Sequence, residues 1–231
     1  MKTIGLIGGM SWESSLEYYR IINETIREQL GGLHSAPIVM YSFDFAQIAE
    51  LQNKGDWDQA AKLLTDAAKR LERAGAEVLV ICTNTMHKSA DHVQNNVHIP
   101  LLHIADATAE QIKARGLKKV GLLGTKFTME DDFYKGRLRE KHGIQVIIPD
   151  KHERQIINQV IFDELCIGQV KQDSKEKFRR IMQNLAENGA EGIILGCTEI
   201  CLLVGQQDAT VPIFDTTKIH ATSAGQFALS Q

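Results

Sequence analysis

Cys197 stands in Leu195-Gly-Cys-Thr-Glu-Ile200, directly after an apolar run and before the helical run Ile200 to Val204. A thiol at a helix N-terminus faces free N–H groups and the positive end of the helix dipole. Both favour the thiolate and are expected to lower its ordinary pKa of about 8.5, so that it can act as a base. A second polar stretch, Cys82-Thr-Asn-Thr-Met-His87, also follows an apolar run. Cys82 closes that run and reads as a core residue, with a place at the site in the stead of Thr83 left open. Thr83, Asn84 and Thr85 offer hydroxyl and amide groups suited to a ligand's carboxylate and ammonium, although the same residues also serve as turns and caps. His87 reads equally as a helix-start histidine and as a participant. Two glycine turns complete the set, Gly8-Gly-Met-Ser-Trp12 and Gly124-Thr-Lys-Phe-Thr128. Glycine lets the backbone approach a ligand closely, and the N–H groups of a following helix seat an anion. Neither turn has the glycine spacing of a dinucleotide or P-loop site, so a carboxylate seat is the economical reading. Cys166 and Cys201 have apolar neighbours at helical spacing and read as packing residues.

The segments that must hold these residues alternate between strand-length apolar runs and helix-length amphipathic ones. Thr3 to Ile7 precedes Ser14 to Leu30, Ile38 to Phe43 precedes Asp58 to Ala74, and Val78 to Cys82 precedes a further helix. The pattern returns at Lys119 to Leu123, at Gln145 to Ile148, and at Gly192 to Leu195 after Ser174 to Glu187. This is the grammar of βαβ units and predicts parallel sheets flanked by helices. The chain also repeats itself. Lys2-Thr-Ile-Gly-Leu-Ile-Gly8 matches Lys118-Lys-Val-Gly-Leu-Leu-Gly124, Gly75-Ala-Glu77 matches Gly189-Ala-Glu191, and Ile99-Pro-Leu-Leu102 matches Val211-Pro-Ile-Phe214 more weakly. The expected fold is therefore α/β, with two pseudosymmetric Rossmann-like lobes. The first is expected over 1–102 and 213–231, the second over 103–212. In the same register Thr83 falls opposite Cys197, Asn84 opposite Thr198 and Thr85 opposite Glu199. Ligands of open α/β sheets bind at the carboxyl ends of strands. Two facing lobes would place Thr83 and Cys197 on opposite walls of one cleft, an arrangement suited to chemistry on both faces of a ligand.

Composition narrows the function. The chain of 231 residues is 43% hydrophobic and 24% charged, ordinary globular usage, with 26 basic against 29 acidic residues and a net charge of −3. A binder of nucleic-acid phosphates would be far more basic. The longest apolar runs are a few residues long where a membrane span needs about 20, and no charged region followed by a long apolar stretch opens the chain. The expected compartment is the cytoplasm. Four cysteines without paired C-x-x-C elements suit neither a disulfide framework nor structural zinc.

At these residues the chain resembles the cofactor-independent aspartate/glutamate racemase superfamily, along its whole length. Of the family's two signatures, C-N-T-x-H and G-C-T-E, the second is intact as Gly196-Cys-Thr-Glu199. The first departs, since Thr83-Asn-Thr-Met-His87 puts Thr83 where the family has a cysteine. The stretches Gly8-Gly-Met-Ser11, His103-Ile-Ala-Asp106, Leu123-Gly-Thr125 with Thr128, and Phe214-Asp-Thr-Thr217 are similar to the family's as well. The closest resemblance is to a type specific for L-aspartate and L-glutamate. It implies that Cys197 takes the Cα proton of the L-isomer, with Thr83 on the D-face and no cofactor or metal. Met10, Ser11, Asn84, Thr85, Thr125, Thr128, Thr198 and Glu199 would line the substrate. Gln52, Lys126 and Thr128 stay open as donors to its distal carboxylate. A homodimer is also implied, for which the helix Ser14 to Leu30 offers a face. The alternatives are a maleate isomerase, hydantoin racemase or arylmalonate-type decarboxylase of the same superfamily, or a binding protein for acidic amino acids that has lost catalysis.

Overall fold

The structure, a computed structural model, describes residues 1–230 as two compact units, Met1–Ile104 with the last residues from His220, and Ala105–Ile219. In the first unit β1 (Ile4–Gly8), α1 (Trp12–Leu30), β2 (Ile38–Ser42), α2 (Phe45–Lys54), α3 (Trp57–Arg73), β3 (Val78–Ile81), α4 (Ala90–Gln94) and β4 (Leu101–Leu102) follow in order. The strands form one parallel sheet ordered β2-β1-β3-β4. The second unit opens on α5 (Ile104–Ala114). It continues through β5 (Lys119–Gly124), α6 (Lys126–Glu130), α7 (Asp132–His142), β6 (Gln145–Ile147), α8 (Lys151–Asp163), α9 (Gln172–Glu187), β7 (Ile193–Gly196), α10 (Ile200–Leu203) and β8 (Ile213–Asp215). Its sheet has the same parallel order, β6-β5-β7-β8. The last helix, α11 (Thr216–Leu229), carries the chain from the second unit back into the first.

β1 and β5 are the two copies of the sequence repeat, and each is the strand on which its sheet is built. Residues of a strand point alternately to opposite faces. Ile7, Leu79 and Ile81 accordingly pack with Leu64, Ala67 and Leu71 of α3, while Ile4, Leu6, Val78, Val80 and Cys82 pack with Tyr18, Ile22 and Ile26 of α1 and with Ala221 and Ala224 of α11. Helices on both faces leave no polar position inside these strands. Helix starts are set by short polar caps: Ser11 accepts the Ser14 N–H, Asp56 the Gln59 N–H, and Asp150 with Glu153 closes a reciprocal box on α8.

The return to the first unit comes later than residue 213. β8 pairs with β7, with Ile213 opposite Ile193 and the Ile193 N–H donating to Pro212 O at 2.8 Å, so 213–219 belong to the second sheet and its unit. The outgoing crossover likewise lies at Ile104, two residues beyond the expected end of the first lobe.

The repeated glycines inside the central strands are steric requirements. A Cβ on Gly5 would stand 2.8 Å from Ala76 Cβ and 3.1 Å from Leu79 Cδ2, and one on Gly121 would stand 2.7 Å from Ile193 Cδ1 and 2.9 Å from Leu185 Cδ1. The Ala76 contact is with a rigid group, whereas the atoms near Gly121 are the ends of flexible side chains. Gly5→Ala is therefore expected to cost about 1–3 kcal/mol, the usual range for overpacking, and Gly121→Ala less. Denaturant unfolding of the two variants checks both the size and the order of the effects.

Candidate active site

Each unit gathers its own set of the expected residues at the carboxyl ends of its two middle strands. In the first unit the turn after β1 carries Met10 and Ser11, and the turn after β3 carries Thr83, Asn84 and Thr85. The two turns are tied directly, because Ser14 Oγ donates to Cys82 O at 2.8 Å. The β1 turn is further fixed by the Gly9 N–H donating to Ser15 Oγ at 2.8 Å and by Ser15 Oγ donating to Ser11 O at 3.0 Å. Thr83 is half-buried, while Asn84, Thr85, Met10 and Ser11 are buried. Gln52 comes to the same place from α2, where its Nε2 donates to Met86 Sδ at 3.0 Å. A thioether is a weak acceptor, so this buried amide has hydrogen-bonding capacity to spare for a stronger one.

In the second unit the turn after β5 carries Thr125 and Thr128, and the turn after β7 carries Cys197, Thr198 and Glu199. Thr125 caps α6 by accepting the Thr128 N–H, and the two hydroxyls lie 3.2 Å apart. Lys126 is exposed, with its N–H on Asn158 Oδ1, and does not join this set. Cys197 and Glu199 are each 9% exposed, and Cys197 Sγ lies 3.0 Å from Glu199 Oε2. The thiol donates and the carboxylate accepts.

This pair reverses the expected electrostatics. α10 is a single turn of four residues, too short for a substantial dipole. Burial, with the adjacent Glu199 carboxylate, holds the Cys197 thiol well above its ordinary value, so the proton stays on sulfur at neutral pH. Cys82 is also raised, by burial alone. Strand alternation turns its side chain into the core with Val78 and Val80, where Sγ has only Val80 O at 3.8 Å. Sequence adjacency to Thr83 therefore gives it no place in the polar turn.

Asp106, in one of the stretches that carried the resemblance, is committed to structure. Burial opposes its charge, but hydrogen bonds from Arg137, Lys141 and His142 outweigh that and hold its carboxyl below the usual range. These residues, at 2.8, 2.6 and 2.7 Å, join α5 to α7. Sequence reading passed over Ser14, Tyr18 and His220, which support the β3 turn or the segments beside it. No local pattern marks them, because each acts on a partner far away in the chain.

The fold agrees with known structures. A protein from Yersinia pestis solved as a candidate Asp/Glu racemase is 58% identical and superposes with a TM-score of 0.95 over the whole of both chains. An aspartate racemase homologue from Pyrococcus horikoshii is 42% identical with a TM-score of 0.87, again over both chains. RacX of Bacillus subtilis, a broad specificity amino-acid racemase, is 28% identical over 170 residues, 73% of this chain and 72% of its own. The profile of the Asp/Glu/hydantoin racemases matches residues 7–224. The chain therefore belongs to the Asp/Glu/hydantoin racemase family and is a racemase of that superfamily.

Proposed function

We propose that the protein racemises acidic amino acids, L-aspartate and L-glutamate to their D-isomers, without a cofactor. The observation that carries this reading is the buried Cys197–Glu199 pair after β7, with Thr83 at the matching position after β3. Cys197 loses its proton toward Glu199 once the substrate's ammonium enters and offsets the buried negative charge. The thiolate then takes the Cα proton of the L-isomer. The C–H bond breaks, an S–H bond forms, and the electron pair moves into the α-carboxylate as an enolate-like dianion. Asn84, Thr85 and Thr198 stabilise that charge with N–H and O–H donors. Thr83 Oγ–H delivers a proton to the opposite face as solvent passes one to its oxygen in the same step, so no alkoxide forms, and Glu199 then returns the proton it took from Cys197 to solvent. Gln52 and Thr128 supply donors for the distal carboxylate, and Met10 and Ser11 add to the substrate's lining from the turn after β1.

The same reading takes the protein as a cytoplasmic homodimer. Among the described residues no helix is long and apolar enough to cross a membrane. Trp12, Leu16 and Tyr19, spaced along one face of α1, are 65%, 55% and 49% exposed, and Leu33 extends the patch. A contiguous exposed apolar face of this kind is suited to an isologous contact. Light scattering on Leu16→Glu is expected to show monomer where the native protein shows dimer; a native monomer would refute the assignment.

Proton NMR in D₂O tests the chemistry. The Cα signals of L-aspartate or L-glutamate should disappear with appearance of the D-isomer, and Cys197→Ser should slow this by at least about 100-fold. Thr83→Cys should raise D-isomer turnover, because a thiol is the better base. Exchange that survives loss of the Cys197 thiol would overturn the assignment. Absence of exchange from any isomer would move the reading to another isomerase or decarboxylase of the superfamily, or to a binding protein.

Glu199→Gln removes a carboxylate that holds the thiol proton, so the pH at which Cys197 becomes alkylated should fall. Its rate of alkylation followed by mass spectrometry reads this directly. An unmoved inflection would assign the raised thiol to burial alone.

A further inference from the structure

Behind the Thr83 turn, within the first unit, lies a buried cluster of three imidazoles that the mechanism above does not use. His87 is 2% exposed, and both of its ring nitrogens have backbone partners. Nδ1 lies 2.7 Å from Thr83 O. A carbonyl only accepts, so the ring proton is on Nδ1. Nε2 accepts the Ile104 N–H at 3.2 Å, which requires that nitrogen to be bare. The two partners together select one neutral tautomer. The ring of His103 meets His87 edge-on at 4.7 Å between centroids, and that of His220 does so at 5.5 Å. His220 donates from Nε2 to Leu102 O at 2.9 Å and accepts the Tyr18 hydroxyl on Nδ1 at 2.8 Å. Burial pushes its pKa down to about 4, so it too is neutral.

The location of this cluster is specific. The chain leaves the first unit after Ile104 and re-enters it at His220. Ile104 is held by His87, and His220 is itself a cluster member. The Thr83 turn and both crossover points thus meet in one buried cluster joined by hydrogen bonds and ring contacts.

We propose that His87 is a positioning residue for Thr83, its Nδ1–H fixing the Thr83 peptide while its bare Nε2 anchors that turn to the outgoing crossover. The catalytic purpose of this clamp rests on the racemase reading. Thr83 is a weak acid and base, so its hydroxyl has to be aimed well to deliver a proton at all. A displacement of about 1 Å in such a group costs on the order of 100-fold in rate. Cys197 lies in the other unit, and the clamp does not hold its turn.

The test compares His87→Phe, which keeps an aromatic ring but neither hydrogen bond, with His87→Asn, which keeps an N–H donor near Thr83 O. Deuterium entry at Cα is measured separately from the L- and D-isomers of glutamate and aspartate. In His87→Phe, D-isomer exchange and racemisation should fall by about 10-fold or more. Exchange of the L-isomer without inversion should stay within about threefold, and His87→Asn should recover part of the D-face rate. An equal fall for both isomers, or none, overturns the proposal. Imidazole ¹⁵N spectra of the native protein give an independent readout: the Nδ1–H tautomer of His87 is expected, and the Nε2–H tautomer or a protonated ring at neutral pH would refute the clamp. If the native protein exchanges no isomer, the racemase reading fails and the catalytic role fails with it, while the spectrum still decides whether the clamp exists.

Discussion

Burial of the central strands on both faces is the constraint from which the remaining features follow. A parallel strand covered by helices above and below has no position for an unpaired polar side chain, since each would carry a desolvation penalty of about 1–3 kcal/mol. β1, β3 and β7 are apolar or glycine throughout, and β5 is so after its first residue, Lys119. Polar chemistry is therefore displaced to the first residues beyond each strand's carboxyl end. There the backbone turns into a helix, and its N–H groups need acceptors. Ser11, Thr83–Thr85, Thr125 and Cys197–Glu199 all occupy such positions. The glycines inside β1 and β5 serve the burial itself, letting Leu71 of α3 and Leu185 of α9 pack against those strands.

Within that frame the two catalytic candidates face opposite electrical problems. Cys197 is surrounded by the apolar residues of its unit's core and has one carboxylate as its neighbour, so its charged form is penalised twice. On the proposed reading that penalty is useful: a thiol kept protonated until substrate arrives is protected from solvent chemistry, and the substrate's ammonium would supply the missing counter-charge where the thiolate forms. Thr83 has no charge to manage. Its difficulty is aim, and the backbone around it is accordingly tied by Ser14 on the preceding carbonyl and by His87 on its own.

The repeat made much of this legible in the sequence. Matching Lys2–Gly8 with Lys118–Gly124 identifies the two central strands, and extending the register makes Thr83 and Cys197 equivalent positions after β3 and β7. Alternation along β3 also explains why Cys82 packs inward although it sits beside the polar turn. The crossover at β8 was less legible, because an apolar strand after proline pairs equally well with either sheet on sequence grounds; pairing with β7 is a tertiary fact. The direction of the Cys197 shift was hidden for a similar reason. A cysteine before a helical run suggests a lowered pKa, but the run is one turn long and the Glu199 side chain folds back onto the sulfur. The histidine cluster left no signal, since His87, His103 and His220 meet only once three separate segments have packed.

In the proposed mechanism, pairing a thiol with a hydroxyl imposes an asymmetry that thermodynamics then limits. A free thiol ionises near pH 8.5, whereas an alcohol is a far weaker acid. A free Thr83 alkoxide is thus not an accessible intermediate. The hydroxyl can give a proton to the strongly basic carbanion, but it can remove one from the D-isomer only while passing its own proton onward. The two enantiomers have equal free energy in water, so kcat/KM is the same in both directions whatever the two groups are. The asymmetry must therefore appear as unequal kcat balanced by unequal KM, and as return of the carbanion to the L-isomer more often than onward to D. Anything that improves the aim of Thr83 shifts this partition without touching the equilibrium. On the racemase reading, the buried network behind the turn would contribute to catalysis in that way, through the geometry of a weak acid.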